Sequence, residues 1–273
     1  MAEQIINTPI AQGSVLDHGA HVLSWTPEGH RPVIWLSQHA LFEAGVAVRG
    51  GVPICFPWFG SGPSHDLSPA HGFARISHWR LVSVDEDPTR STVVHSLDEH
   101  EASRPAFEYP YRAVSTVTFA DSLAMSLEVT NTGAEPFDFE AALHTYLAVG
   151  DSTGVSIEGL SGDAYLDQVR DEHSVQDGPV AIDGEVDRIY TSEAAVHIVD
   201  PSLGRVITVE KSGSASTVVW NPWIDKAHRL PDFGDDEWRT MVCVETANIA
   251  PSVVHLEPGE SHTMTARISV EGL

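Results

Sequence analysis

The chain's 273 residues include 39 acidic and 15 basic side chains, a formal charge of −24, which argues against nucleic acid or anionic membrane as a partner because both require a basic footprint. Hydrophobic residues make up 42%, enough for a sizeable core. No apolar run approaches the roughly 20 residues of a membrane span, and residues 1–14 lack the basic-then-apolar order of a secretory signal.

The first distinctive stretch runs Arg49-Gly50-Gly51-Val52-Pro53, then Phe56-Pro57-Trp58-Phe59-Gly60, then His71-Gly72-Phe73-Ala74-Arg75. Glycines let a backbone approach a ligand closely and prolines stiffen turns. Arginines offer planar forks that grip phosphate or carboxylate. The mixture reads as one wall of a polar pocket for a small, anionic, ring-shaped ligand. The two cysteines, Cys55 and Cys243, sit in apolar contexts without C-x-x-C spacing. Free buried thiols and a cytoplasmic location are therefore expected.

Downstream, strand signals dominate. Leu123, Met125, Leu127 and Val129 alternate with smaller or polar residues, the period of a half-buried strand. Asn131-Thr132-Gly133 reads as a turn into a strand over 137–149. Further β-rich runs fall at 114–119, 155–160, 195–199, 205–209, 217–220, 241–245 and 264–270. Residues 163–193 read as a long, irregular, acidic loop, and 234–239 as a short helical turn. Many short strands separated by turns predict an all-β chain, a large antiparallel sandwich or barrel. Composition marks no boundary, so a single domain over 1–273 is expected.

Alternation sorts the strand around residue 144. Phe137, Phe139, Ala141 and Leu143 share one face, and His144 has the parity of Asp138, Glu140 and Tyr146. A histidine off the packed face of an apolar strand is a candidate for a lined cavity, although strand histidines are commonly structural. Glu245 ends the run Met241-Val242-Cys243-Val244, where a carboxylate is costly unless it is paired or at a strand end. Fifteen histidines invite a metal, but no H-E-x-x-H is present, and His18 with His21 and His65 with His71 are weak pairings. G-x-G-x-x-G, P-loop and G-x-S-x-G patterns are also absent. No cofactor and no metal are expected.

Taken in order, the Arg49 and His71 motifs, Leu143-His144-Thr145-Tyr146, Tyr165-Leu166-Asp167, Trp220-Asn221-Pro222-Trp223 and Val244-Glu245-Thr246-Ala247-Asn248 resemble the hexose-6-phosphate mutarotases (glucose-6-phosphate 1-epimerases) of the galactose-mutarotase-like superfamily. The resemblance covers the chain from about Val48 to the C-terminal strands. It implies the supersandwich fold of that superfamily, His144 as general acid and Glu245 as general base. It also implies that Arg49 and Arg75 hold the ligand, its 6-phosphate in particular, with His71 near the sugar and Asp167 accepting bonds from its hydroxyls. Trp220 and Trp223 are candidates to stack on the ring. One departure is Ala70, where some family members, mainly eukaryotic, carry a glutamine; that contact is missing here or moved, to His65 or a water.

Anomer exchange opens the ring by taking a proton from the C1 hydroxyl and delivering one to the ring oxygen. An ionised Glu245 and a protonated His144, on opposite sides of that unit, suffice. The expected partner is thus a small-molecule sugar phosphate bound by a monomer. The alternatives are a carbohydrate-binding sandwich without catalysis, a glycosidase or lyase with Asp167 as second carboxylate, and a mutarotase for unphosphorylated aldoses, against which Arg49 and Arg75 argue.

Overall fold

The computed structural model describes residues 1–102 and 105–273. Two antiparallel eight-stranded sheets dominate the described residues. One contains the strands Arg80–Asp87, Arg90–Asp98, Tyr111–Phe119, Leu123–Asn131, Ser261–Gly272, Arg205–Ser212, Val196–Asp200 and Ser156–Glu158 in spatial order. The other, the site sheet, runs Glu172–Val175, Ala164–Asp167, Val186–Thr191, Ser216–Asn221, Met241–Asn248, Ala141–Leu143 and Ile54–Cys55, with Tyr146–Ala148 also pairing Met241–Asn248. A three-stranded sheet at the N-terminus and a two-stranded pair complete the fold.

The period-2 rule explains how the sheets stack. Leu123, Met125, Leu127 and Val129 point inward and are buried. They join Val186, Tyr190, Val219, Val242 and Val244 of the site sheet in one core. The site sheet is covered on its other face as well. There Ala142, Tyr146, Val218, Trp220, Met241, Cys243 and Ala247 form a second cluster with Trp35 and Phe233 from loops and Trp238 from a short helical turn. Met241–Asn248 is therefore buried at every position, and at about 25 cal/mol per Å2 of apolar surface this strand contributes heavily to stability. Cys55 and Cys243 are free and buried.

Three expectations change. The stretch 163–193 contains the strands Ala164–Asp167, Glu172–Val175 and Val186–Thr191. Glu172–Val175 is exposed throughout and Ala164–Asp167 is buried only at its end, so neither shows the alternation that marks a strand. The run 137–149 is broken into Phe137–Phe139, Ala141–Leu143 and Tyr146–Ala148. His144 N–H leaves the ladder for Pro53 O at 3.0 Å, and Tyr146 N–H bonds Gly51 O at 3.0 Å. The helical turn lies at Glu237–Thr240, and a short helix, Trp223–Ala227, precedes it. No helix among the described residues is long and apolar enough to cross a membrane.

Candidate active site

Glu245 sits in mid-strand, with Val218 opposite on one side. Its parity is that of Cys243 and Ala247, so it faces away from the sandwich core. His144 has the parity of Ala142 and Tyr146 and faces the same way. The two meet: His144 Nε2 is 3.4 Å from Glu245 Oε1. Both are deeply buried, at 7% and 1% relative exposure. They look onto a cleft of about 370 Å3 lined also by Arg49, Phe59, His71, Arg75, Gln168, Asp187, Trp220 and Lys226, within the size range of small-ligand sites. A larger, more open depression of about 680 Å3 adjoins it at Leu230 but has no arginine or lysine in its wall.

Turn residues bring the basic wall in. Gly72 adopts φ 73°, and a Cβ there would strike Phe56 O, so only glycine lets His71-Gly72 pass beside Phe56. Gly51 is packed as closely on His21 and Val22. Arg49 is already engaged. Its Nε donates to Asp232 Oδ1 at 3.2 Å and its Nη1 to the Tyr146 hydroxyl at 3.2 Å. Arg75 differs: its Nη2 donates to Ala70 O at 2.8 Å, and its Nε is buried without an acceptor. Among the described residues no carboxylate lies within ion-pair distance of Arg75. Ala70 thus contributes its carbonyl, and His65 is not among the cleft-lining residues.

Burial governs the titrating groups. Desolvation holds His144 well below the usual imidazole range, and the nearby His71, Arg75 and Arg49 push it further down. Its Nδ1 is buried without an acceptor, so an imidazolium has no partner for its second N–H. Desolvation raises Glu245 well above the ordinary carboxyl range, reinforced by Asp187 and opposed by Arg75. Burial thus works against the charged form of each group, shifting His144 toward the neutral imidazole and Glu245 toward the protonated carboxyl. The two groups lie side by side in the cleft wall. His71 is lowered to about 3 by burial and then by Arg75, Arg49 and Lys226. Its Nδ1 accepts Gly60 N–H at 3.3 Å, so its proton sits on Nε2.

Asp167 is not in the cleft wall. It pairs in register with Arg188, and Asp187 pairs with Trp220. One residue of offset puts a side chain on the opposite face of a sheet. Asp167 thus shares the core-side face with Tyr165 and Tyr190. Its Oδ1 accepts Val169 N–H at 3.0 Å and Arg170 N–H at 3.1 Å, closing its own turn. Asp187 points into the cleft, where its carboxyl takes Gln168 Nε2 at 2.6 Å and lies 3.5 Å from Lys226 Nζ. Burial raises its pKa, against the pull of Lys226. Lys226 also pairs with Glu185 at 2.8 Å. Asp187, Gln168 and Lys226 carry no sequence signature, since only the strand register brings them to the site. Of the two tryptophans, Trp220 lines the cleft, while Trp223 packs tilted against Trp238, ring centroids 4.3 Å apart.

An imidazole and a carboxyl in contact, walled by cations and one aromatic face, can move protons on a bound polar anion. The sequence comparisons agree with that chemistry. The aldose 1-epimerase family profile matches residues 4–269. An Escherichia coli protein described as "Putative glucose-6-phosphate 1-epimerase" is 36% identical over 246 residues, covering 89% of this chain and 82% of its own. A relative of the same description from Cenchrus ciliaris is 34% identical over 89% of this chain and 76% of its own length. A crystal structure described as a "putative mutarotase" from Salmonella typhimurium superposes with a TM-score of 0.92 at 33% identity, covering 99% of this chain and 90% of that one. The fold is that of the galactose-mutarotase-like proteins, and the chain belongs to the aldose 1-epimerase family as an isomerase of the epimerase type.

Proposed function

We propose that this chain, acting as one cytoplasmic domain, interconverts the α and β anomers of a hexose 6-phosphate, glucose 6-phosphate in particular. The observation that carries the reading is the 3.4 Å contact between His144 Nε2 and Glu245 Oε1 in a cleft that also holds Arg75. The C1 hydroxyl and the ring oxygen share one carbon, so the groups that serve them must be neighbours. This pair is.

The pair carries one mobile proton. Its holder acts as acid on one oxygen while the other group acts as base on the second. In the neutral form Glu245 is the acid and His144 the base. A proton shift across the contact makes His144 the acid and Glu245 the base. Either way, the C1 hydroxyl loses its proton, the ring oxygen gains one, and the C1–O5 bond opens to the aldehyde. Rotation about C1–C2 presents the other carbonyl face. Closure reverses both transfers and restores the pair, so protons balance over the cycle.

Around the pair, the His71 Nε2–H and the Asp187 carboxyl supply a fixed donor and a fixed acceptor for sugar hydroxyls. The edge of Trp220 and the ring of Phe59 bound the apolar face. Arg75, without a carboxylate partner among the described residues, is the principal phosphate ligand, and Arg49 adds to the local positive field. That field offsets the overall charge of −24, which salt screens beyond about 8–10 Å. The reading is tested by polarimetry on freshly dissolved α-glucose 6-phosphate and α-glucose. Acceleration of the phosphate ester well beyond that of the free sugar supports it. Equal acceleration of both sugars points to an aldose mutarotase without phosphate preference, and no acceleration of either removes the catalytic reading.

A further inference from the structure

Glu140 lies outside the cleft wall and is not part of the proton chemistry, yet it is buried to 5% relative exposure. It occupies the break between the strands Phe137–Phe139 and Ala141–Leu143, with its own N–H on Pro57 O at 2.9 Å. Each carboxyl oxygen accepts a backbone N–H from a different segment. Oε2 takes Phe59 N–H at 3.0 Å and Oε1 takes Ala250 N–H at 3.0 Å. No lysine or arginine pairs with it among the described residues. Two oxygens bridging two segments is a task an amide cannot perform, because one end of an amide is a donor.

Both segments lead to the site. Ala250 follows the strand that carries Glu245. Phe59 and Gly60 form the cleft wall against His71: the Phe59 ring meets the imidazole edge-on at 4.6 Å. Gly60 O accepts His71 N–H at 2.6 Å, and Gly60 N–H fixes the His71 tautomer. His71 in turn lies 5.8 Å from His144, ring to ring. His71 holds φ 62°, a left-handed conformation that a non-glycine residue keeps only when its surroundings impose it.

We infer that Glu140 is a positioning residue: by tying Phe59-Gly60 to the exit of the Glu245 strand it locks His71 as an Nε2–H donor aimed into the cleft. The consequence for turnover rests on the proposed sugar-phosphate reading, but the tautomer does not, and the two are read separately.

The first measurement is the 15N imidazole spectrum of the wild-type protein, in which His71 should be protonated at Nε2; protonation at Nδ1 overturns the inference without any variant. In Glu140→Gln, which keeps the side chain's size, the fixed tautomer should give way to a mixture. An unchanged His71 spectrum in folded Glu140→Gln also overturns it. On glucose 6-phosphate, Glu140→Gln should lower kcat/KM on the order of 10–100-fold, the scale of a small misplacement of a binding group. In a His71→Asn background the same change should add little, because the two act through one element. Losses that multiply would show that Glu140 does not act through His71. If the wild type is inactive on every hexose phosphate while the tautomer still responds to Glu140→Gln, the functional reading fails and the positioning role stands.

Discussion

His144 Nε2 and Glu245 Oε1 are 3.4 Å apart, and each carries a buried polar atom without a partner, Nδ1 and Oε2. The two side chains answer mainly to each other, and in the proposed mechanism they share one proton. Glu245→Gln and His144→Asn should each lower kcat by about 10²–10⁴-fold, the worth of a positioned proton-transfer group. The double variant should be hardly worse than the weaker single, because groups acting as a unit are not additive. A double loss equal to the product of the single losses would mean they act independently.

Because burial raises Glu245 and lowers His144, the singly protonated pair should be the active form between the two limbs of the pH profile. In the kcat/KM profile the acid limb should fall below 6.5 and the alkaline limb above 4.5, the values of the unperturbed groups. Following the profile on a free sugar as well removes the phosphate's own ionisation near 6. The sign for stability follows from the raised Glu245 value. Its contribution is complete below about 4.5 and is lost as pH rises through the folded value. Glu245→Gln, with no proton to lose, should therefore be more stable to urea than the wild type at pH 7, by about 0.5–2 kcal/mol. The gain should vanish near pH 4; a variant no more stable at pH 7 would contradict the upward shift of Glu245.

The two arginines should separate. Arg75 has no carboxylate partner among the described residues, so Arg75→Ala should remove phosphate preference by roughly 10–100-fold, the equivalent of one charge-assisted bond of about 1.5–3 kcal/mol. Moderate salt should partly rescue it by screening the −24 field. Arg49→Ala leaves Asp232 and the Tyr146 hydroxyl without their donor and should lower thermal stability as well as activity. Comparing kcat/KM for glucose 6-phosphate and glucose, together with melting curves, tests this. Equal loss on both sugars in Arg75→Ala would remove its phosphate assignment.

Asp187 and Asp167 should separate as well. Asp187→Asn should raise KM for the sugar or lower kcat by about tenfold, the value of one buried polar contact. Asp167→Asn should weaken the turn at Val169-Arg170 and lower the melting temperature without moving the KM. The opposite pattern in steady-state kinetics would restore Asp167 to the site.

Much of this was legible in the chain, for physical reasons. The inward row Leu123, Met125, Leu127 and Val129 and the outward parity of His144 follow from two-residue periodicity, and both hold in the structure. Asp167 was legible only through its resemblance, and its neighbour in the sheet, Arg188, shows why that was insufficient: which face a residue takes depends on register with a partner strand remote in sequence. Within 163–193 the strand Glu172–Val175 is exposed on both faces and so leaves no alternation in the sequence. Lys226 enters the cleft from a five-residue helix, and nothing local marks it. The downward shift of His144 and the upward shift of Glu245 could not be read from residue types, since both arise from burial.

Magnetisation-transfer NMR between the α and β C1–H signals of glucose 6-phosphate at equilibrium measures directly whether the His144–Glu245 pair exchanges anomers of a hexose 6-phosphate. With wild-type protein the exchange rate should rise in proportion to protein concentration, and with folded Glu245→Gln or His144→Asn it should return nearly to the uncatalysed rate. An exchange rate that wild-type protein leaves at the uncatalysed value, or that both variants sustain at the wild-type level, would contradict the claim.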